Sequence, residues 1–334
     1  MLKTPDLRQR FFSLKTMLSF ILAFAIIYVL ATKMDPARVL ASIRNISWPV
    51  YACGFVIYYL AFPLRGARFR IMLSNNRCTV PVRDLTRIIL ISWFANCVVP
   101  AKLGDVFRAY LVKKKYCHSF ANTVGTIFAE RVFDLFILYL LIGASGLAAF
   151  RGKIPPTMLV VLKTGFIVLA VILAALIFLK YLGVRLAGIL PEKVEKMYRI
   201  FLAGTMSSFR HNGQIAALTV VIWMLEGTSF YLVTRALGMN LPFTAVIFTG
   251  LISALLTALP ITPAGLGIVE AAKVGVLIFF RVDRSVAVSA ALLDRLINYW
   301  SLLIIGFIIY MTTEQGGSAQ EAVSDESDDS RSHI

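Results

Sequence analysis

Three charged residues interrupt an apolar run at Glu130-Arg131-Val132-Phe133-Asp134, and the pattern returns at Asp294-Arg295-Leu296-Ile297-Asn298. On a helix, Glu130 and Asp134 share one face four residues apart, and Arg131 meets Asp134 three residues on. Ionisable groups at membrane depth are expensive, and by default each marks a functional site. The chemistry open to such a set is charge pairing and the holding or release of an ionic ligand. Two roles fit it, gluing helices together and touching a ligand, because a buried charge has to be paired in either case. Glu226, twelve residues into another apolar run and close to Thr228 and Ser229, is a further member or a structural hydrogen-bonding group.

A second group of charges lies where apolar runs are broken. Lys102, Asp105 and Arg108 surround Pro100 and Gly104, while Glu270 and Lys273 follow Pro260, Pro263, Gly265 and Gly267. A broken helix frees amide groups at a half-helix N-terminus, which suits phosphate. Lys102 and Arg108 would add a point charge and a fork of donors. The expected headgroup-binding residues are therefore Lys102, the backbone at Gly104, Asp105 and Arg108. The expected charged network is Glu130, Arg131, Asp134, Glu226, Glu270, Lys273, Asp294, Arg295 and Asn298. Arg65, Arg68 and Arg70 are read first as loop cations set by topology, and second as holders of anionic headgroups at the cytoplasmic surface.

Several chemistries are excluded. There is no P-loop, dinucleotide fingerprint, HExxH or nucleophile elbow, so nothing points to ATP hydrolysis or a catalytic residue. Cys53, Cys78, Cys97 and Cys117 form no CxxC pair, and the three histidines are far apart; no metal or other cofactor is expected. The formal charge of +16 is spread over loops rather than gathered on one module, so nucleic acid is not an expected partner.

The elements that must position these residues are membrane helices. Of 334 residues 58% are hydrophobic and only 16% charged, with a mean hydropathy of +0.78, far more apolar than a soluble domain. Runs long enough to cross a bilayer, about 20 residues, fall near 16–32, 49–64, 120–150, 157–179, 214–237 and 285–311. The first follows Lys3, Arg8, Arg10 and Lys15 but lacks a small-x-small cleavage site, so it is kept as a helix. Two runs, 85–99 and 243–259, are short.

Lys and Arg counts orient the chain. The amino-terminal tail holds four, 65–87 six, 102–118 five and 180–210 six, whereas 33–48, 151–153 and 281–284 hold three, two and two. The former face the cytoplasm. Because the loops on both sides of 85–99 are cytoplasmic, that run of 15 residues, roughly 22 Å as a helix, is expected to enter the membrane and return as a re-entrant hairpin. The chain then repeats itself: 259–271 echoes 99–109, and Asp294-Arg295 echoes Glu130-Arg131. The second break is approached from outside, so the copies would be inverted. The expected fold is an all-α polytopic membrane protein with about six full transmembrane helices plus two opposed re-entrant hairpins forming an inverted repeat. Its parts are a basic cytoplasmic tail (1–15), a membrane domain (16–311, with repeats at about 85–150 and 243–311) and a disordered acidic cytoplasmic tail (312–334). Paired Pro/Gly-interrupted segments in two halves point to a transporter's binding site between them.

Asn96-x3-Pro100-x3-Gly104-Asp105-x2-Arg108, Glu130-Arg131-x2-Asp134 and Pro260-x2-Pro263-x-Gly265-x-Gly267-x2-Glu270, in this order and spacing, resemble the flippase-like membrane domain of lysylphosphatidylglycerol synthetases. The resemblance covers most of 16–311. It implies movement of an anionic or aminoacylated phospholipid, or of a polyprenyl-phosphate-linked lipid, between the leaflets of a cell membrane. Membrane lipids would be the partners, with a lipid-modifying enzyme as a possible further one. It does not support lipid synthesis, since no soluble aminoacyl-transfer domain is present in this sequence. The rival expectations are a membrane-embedded lipid-phosphate-modifying enzyme, with Asp105 or Glu130 as base, and a non-catalytic scaffold for a lipid-modifying partner. The lipid, the direction and energy source of its movement, and the oligomeric state stay open in the sequence.

Overall fold

The computed structural model describes residues 36–76, 78–99, 102–116, 118–150, 156–179, 181, 188, 191–257 and 262–313. The expected first span at 16–32, Pro100, Pro260 and the tail beyond 313 lie outside them. Every regular element among the described residues is helical: α1 (Pro36–Arg44), α2 (Trp48–Ser74), α3 (Val82–Val98), α4 (Leu103–Tyr116), α5 (Phe120–Ala149), α6 (Pro156–Phe178), α7 (Glu192–Ser207), α8 (Asn212–Ala236), α9 (Phe243–Thr257), α10 (Ile268–Phe279) and α11 (Arg284–Thr313). Four of them, α2, α5, α8 and α11, are long and apolar enough to cross a membrane.

One order of elements occurs twice. A long helix, a short one, a break, a second short helix and a long one run through α2–α5 with 27, 17, 14 and 30 residues. The same order runs through α8–α11 with 25, 15, 12 and 30. The recurring unit thus starts one helix earlier than the expected boundaries near 85 and 243. The two leading helices, α2 and α8, form the most extensive helix contact among the described residues. Gly54 permits the close approach: its carbonyl accepts a 2.8 Å hydrogen bond from Ser229 Oγ, and a Cβ there would sit 3.2 Å from the Ser229 carbonyl oxygen. Close packing at small residues is how helices associate where lipid removes the hydrophobic drive.

Each short pair packs on itself, α3 against α4 and α9 against α10. In the first pair both polar backbone atoms of Gly104 are taken by α3, its N–H by Asn96 Oδ1 at 2.9 Å and its carbonyl by Ser92 Oγ at 2.8 Å. Backbone at membrane depth survives only when satisfied inside the protein in this way. The residue immediately before each second short helix is left-handed: Lys102 has φ 53° and Gly267 has φ 84°. Glycine takes that conformation freely, whereas a lysine pays about 1–2 kcal/mol for it. The second break also contains a 3₁₀ turn, Pro263–Gly265, which has no counterpart among the described residues of the first.

Residues 180–210 do not form only a loop. α7 occupies Glu192–Ser207 and packs along α5, its charges held partly by the exposed Arg199–Glu195 pair at 2.8 Å. α11 passes through a π turn at Leu296–Trp300, directly after Arg295, which brings the Tyr299 hydroxyl to within 3.3 Å of the Cys97 carbonyl at the end of α3. A π turn often marks a functional position in a helix.

A duplicated charge network around a central cavity

α5 carries Glu130, Arg131 and Asp134 one turn apart, facing α2 and α4. Glu130 accepts from two arginines, Arg68 Nη2 of α2 at 2.8 Å and Arg108 Nη2 of α4 at 2.5 Å. Asp134 accepts from Arg68 Nη1 at 2.6 Å and more weakly from Arg131 at 3.4 Å. Arg131 turns its fork to Asp105, in the first turn of α4, at 2.8 and 3.0 Å. Arg68 and Arg108 are 0% and 1% exposed, and the Arg108 guanidinium lies 3.5 Å over the Phe69 ring. Paired charges with two-pronged hydrogen bonds are what burial demands.

The same plan recurs on α10 and α11. Arg295 turns its fork to Glu270, in the first turn of α10, at 2.6 and 3.2 Å, as Arg131 does to Asp105. Lys273 pairs with Asp294 as Arg108 does with Glu130. Asn298 stands where Asp134 stands and donates to Asp294 at 2.5 Å. Arg295 further reaches the Ala264 and Gly265 carbonyls at 3.2 and 3.1 Å. Gly267 N–H donates to Glu270 at 2.7 Å. These roles shift the expected alignment of the breaks. Asp105 corresponds to Glu270 and Arg108 to Lys273, so Arg108-Ala109 is not the counterpart of Glu270-Ala271. Asp105 lies five residues after Pro100 and Glu270 ten after Pro260, so the extra length belongs to the break itself.

Between the halves, Arg65 of α2 pairs with Glu226 of α8, its guanidinium 4.6 Å from the Trp93 ring centroid and 5.4 Å from that of Trp223. Both networks line one cavity of about 330 Å³. Lys102, Arg131 and Asp134 reach it from the first half, and Lys273, Asp294, Arg295 and Asn298 from the second. Tyr58, Trp93, Trp223 and Phe230 make an aromatic wall.

The charge tally of the networks and the cavity wall is uneven. Arg65, Arg68, Arg108, Arg131, Lys273 and Arg295 are all paired, with Glu226, Glu130, Asp134, Asp105, Asp294 and Glu270. Lys102 alone among the cations lining the cavity forms no ion pair with the described residues. One positive charge is left over.

The geometry redistributes the expected headgroup site. Lys102 faces the cavity; Gly104, with both backbone groups committed to α3, has nothing to offer a ligand. Arg108 is enclosed between Glu130 and Phe69, and Asp105 is held by Arg131. The nine residues expected to form a network each take part in one of these ion pairs or hydrogen bonds. Sequence reasoning missed Arg65 and Arg68, which are buried partners of Glu226, Glu130 and Asp134 instead of loop cations. Their signal was a shortfall of cations: without them Glu226 has no partner. Removing the two leaves four basic residues in 65–87, still more than any loop read as external.

A model of the lysylphosphatidylglycerol synthase TM region matches residues 16–306. The chain belongs to this family. Among relatives similar to it, a UPF0104 membrane protein of Methanocaldococcus jannaschii is 37% identical over 224 residues, 66% of this chain and 95% of that one. Another UPF0104 membrane protein, of Methanothermobacter thermautotrophicus, is 26% identical over 89% of this chain and 93% of the relative. The glycosyltransferase AglD of Haloferax volcanii is 26% identical over 88% of this chain but only 53% of its own length. The family member described here is thus an all-helical, multi-pass membrane protein.

Proposed function

We propose that this family member moves a lipid with an anionic headgroup across the membrane, using the central cavity as the headgroup site. The observation that carries the reading is Lys102, a cation without an ionic partner lining a cavity where every other charge is matched. A charge left uncompensated at membrane depth is retained only where it does something. The duplicated breaks and their matched charges support an arrangement in which the two halves are inverted, with six full spans, two re-entrant hairpins and both termini in the cytoplasm of a cell membrane. In that arrangement Arg131–Asp105 and Arg295–Glu270 are equivalent latches, each tying a post-break helix to a long one. The absence of an ATP-binding motif leaves passive movement, an ion gradient, the membrane potential or a partner as the drive.

The test is reconstitution of the purified protein into liposomes carrying labelled lipids, read by dithionite quenching or an equivalent probe of the outer leaflet. Protein-dependent movement of an anionic lipid is expected. Failure to move phosphatidylglycerol, phosphatidic acid or a polyprenyl phosphate, with the helical fold intact, would overturn the proposal. The similarity to the glycosyltransferase AglD favours one further reading, in which this region serves a lipid-modifying enzyme. A product formed from a lipid donor by the protein alone would point to chemistry in the membrane domain itself.

A further inference from the structure

The first hairpin ends in a basic surface that the charge networks leave unused. Arg83 and Arg87, four residues apart on one face of α3, and Lys113, Lys114 and Lys115 in the last turn of α4 are all exposed. The only acid on these two helix ends, Asp84, is already taken by the Tyr116 hydroxyl and Lys115. Arg83, Arg87, Lys113 and Lys114 form no ion pair with the described residues. Loop cations of this kind follow from topology, and by themselves they name no partner. The helix beside them does.

α11 runs antiparallel to α3 and heads for this surface. The Tyr299 hydroxyl meets the Cys97 carbonyl, Gly306 lies against Phe94 and the Leu90 carbonyl, and the Tyr310 ring is 6.2 Å from that of Phe94 and 6.4 Å from that of Phe107. Lys113 and Lys114 follow Phe107 by six and seven residues, about 9–10 Å along the helix axis. α11 ends at Thr313, and 314–334 follow with Glu314, Glu321, Asp325, Glu326, Asp328 and Asp329 against one cation, Arg331. A third of the 18 acids in a chain of formal charge +16 are thus gathered directly after the helix that points at the unpaired cations. Asp325 comes twelve residues after Thr313, and a chain of that length reaches up to about 40 Å. We infer that the acidic segment 314–334 docks on the basic ends of α3 and α4 of the same chain. There it straps the last helix of the second half to the hairpin of the first, and it screens those cations from anionic lipid surfaces, which they would otherwise attract.

The test treats the full-length protein in phosphatidylcholine nanodiscs with a carbodiimide, which joins a lysine amine to a carboxylate only where the two are in contact, and locates the links by peptide mass spectrometry. Links from Lys113, Lys114 or Lys115 to 325–329 are expected at low ionic strength, with a severalfold loss at about 1 M salt, where the screening length is about 3 Å. Arg83→Gln with Arg87→Gln, neither position able to form a link itself, should lower the yield severalfold at an unchanged thermal midpoint. Replacing part of the phosphatidylcholine by phosphatidylglycerol should displace the segment and lower the yield. Asp325→Asn, Glu326→Gln, Asp328→Asn and Asp329→Asn together should raise retention of phosphatidylglycerol severalfold in native mass spectrometry. No links to these lysines in phosphatidylcholine, links to the α7 lysines in equal yield, or links only between copies in a mixture of isotope-labelled and unlabelled protein overturn the docking. A yield indifferent to phosphatidylglycerol overturns the screening. None of these readouts requires a lipid to be moved, so a failed liposome assay overturns the movement reading and leaves this inference standing.

Discussion

Arg68 and Asp134 show how the network tolerates change, because the second half has shed the equivalent pair together. Matching the first residue of α3, Val82, to that of α9, Phe243, puts Ser229 on α8 in the place of Arg68 on α2, and Asn298 takes that of Asp134. A lone Arg68→Ser would leave Asp134 with only its 3.4 Å contact to Arg131, and breaking a buried pair from one side costs about 3–5 kcal/mol. The double substitution Arg68→Ser with Asp134→Asn should recover most of that loss, since Glu130 keeps Arg108 just as Asp294 keeps Lys273. Thermal midpoints of the two single variants and the double in detergent decide it; a double variant as unstable as the sum of the singles would mean that the two networks are not interchangeable. At this scale Glu130, Asp134 and Asp294 were legible in the sequence, because a carboxylate within an apolar helix stands out. Arg65 and Arg68 were not, because their helix continues past the apolar run ending at residue 64, and a cation beyond such a run looks the same whether it is solvated or buried. Gly104 was misread for a related reason: spacing alone gives a glycine's position and not which neighbour its backbone serves.

At the scale of elements the breaks were plain, since proline and glycine punctuate them, and α3 ends within a residue of the expected 85–99 run. α1 and α7 were missed because surface helices carry no long apolar run; in α7 Glu192, Lys193, Glu195, Lys196 and Arg199 read as loop charge. The open end of the first hairpin, outside the spanning segments, has a clip of its own. The Tyr116 phenol at the end of α4 donates to Asp84 in the first turn of α3, with Lys115 3.1 Å from the same oxygen. Hydrogen bonding from Tyr116, aided by Lys115 and opposed by burial, holds the Asp84 carboxyl below the usual aspartate range. A carboxylate with a lowered folded-state pKa contributes stability that is complete above its unfolded value, about 4, and disappears as pH falls through the folded one. Amide-exchange protection at the end of α4 should therefore fall on acidification below about pH 4. In Tyr116→Phe the protection should start lower and depend less on pH. Equal pH profiles for the two proteins would remove Asp84 from the clip.

For the whole molecule the open question is orientation, and it turns on α6. Without α6 the long helices α2 and α8 would enter the membrane from the same side; with α6 crossing, they run in opposite senses and the two hairpins open to opposite faces. Its 23 residues span about 34 Å as a helix, enough for a hydrocarbon core of about 30 Å. The connections on its two sides differ in the direction the loop-charge rule requires, two basic residues in 151–153 against six in 180–210. Exposed positions in corresponding loops, Thr79 between α2 and α3 and Asn240 between α8 and α9, report the outcome. In a background where the native cysteines are replaced, Thr79→Cys should be blocked only by a reagent delivered to the cytoplasmic face, and Asn240→Cys by an impermeant maleimide added to intact cells. Labelling of both from one face would make the halves parallel, place both hairpins on the same side and remove the alternating route through the cavity. Labelling from opposite faces would put Arg131–Asp105 and Arg295–Glu270 at opposite mouths of one site, where opening either latch exposes Lys102 to a different leaflet.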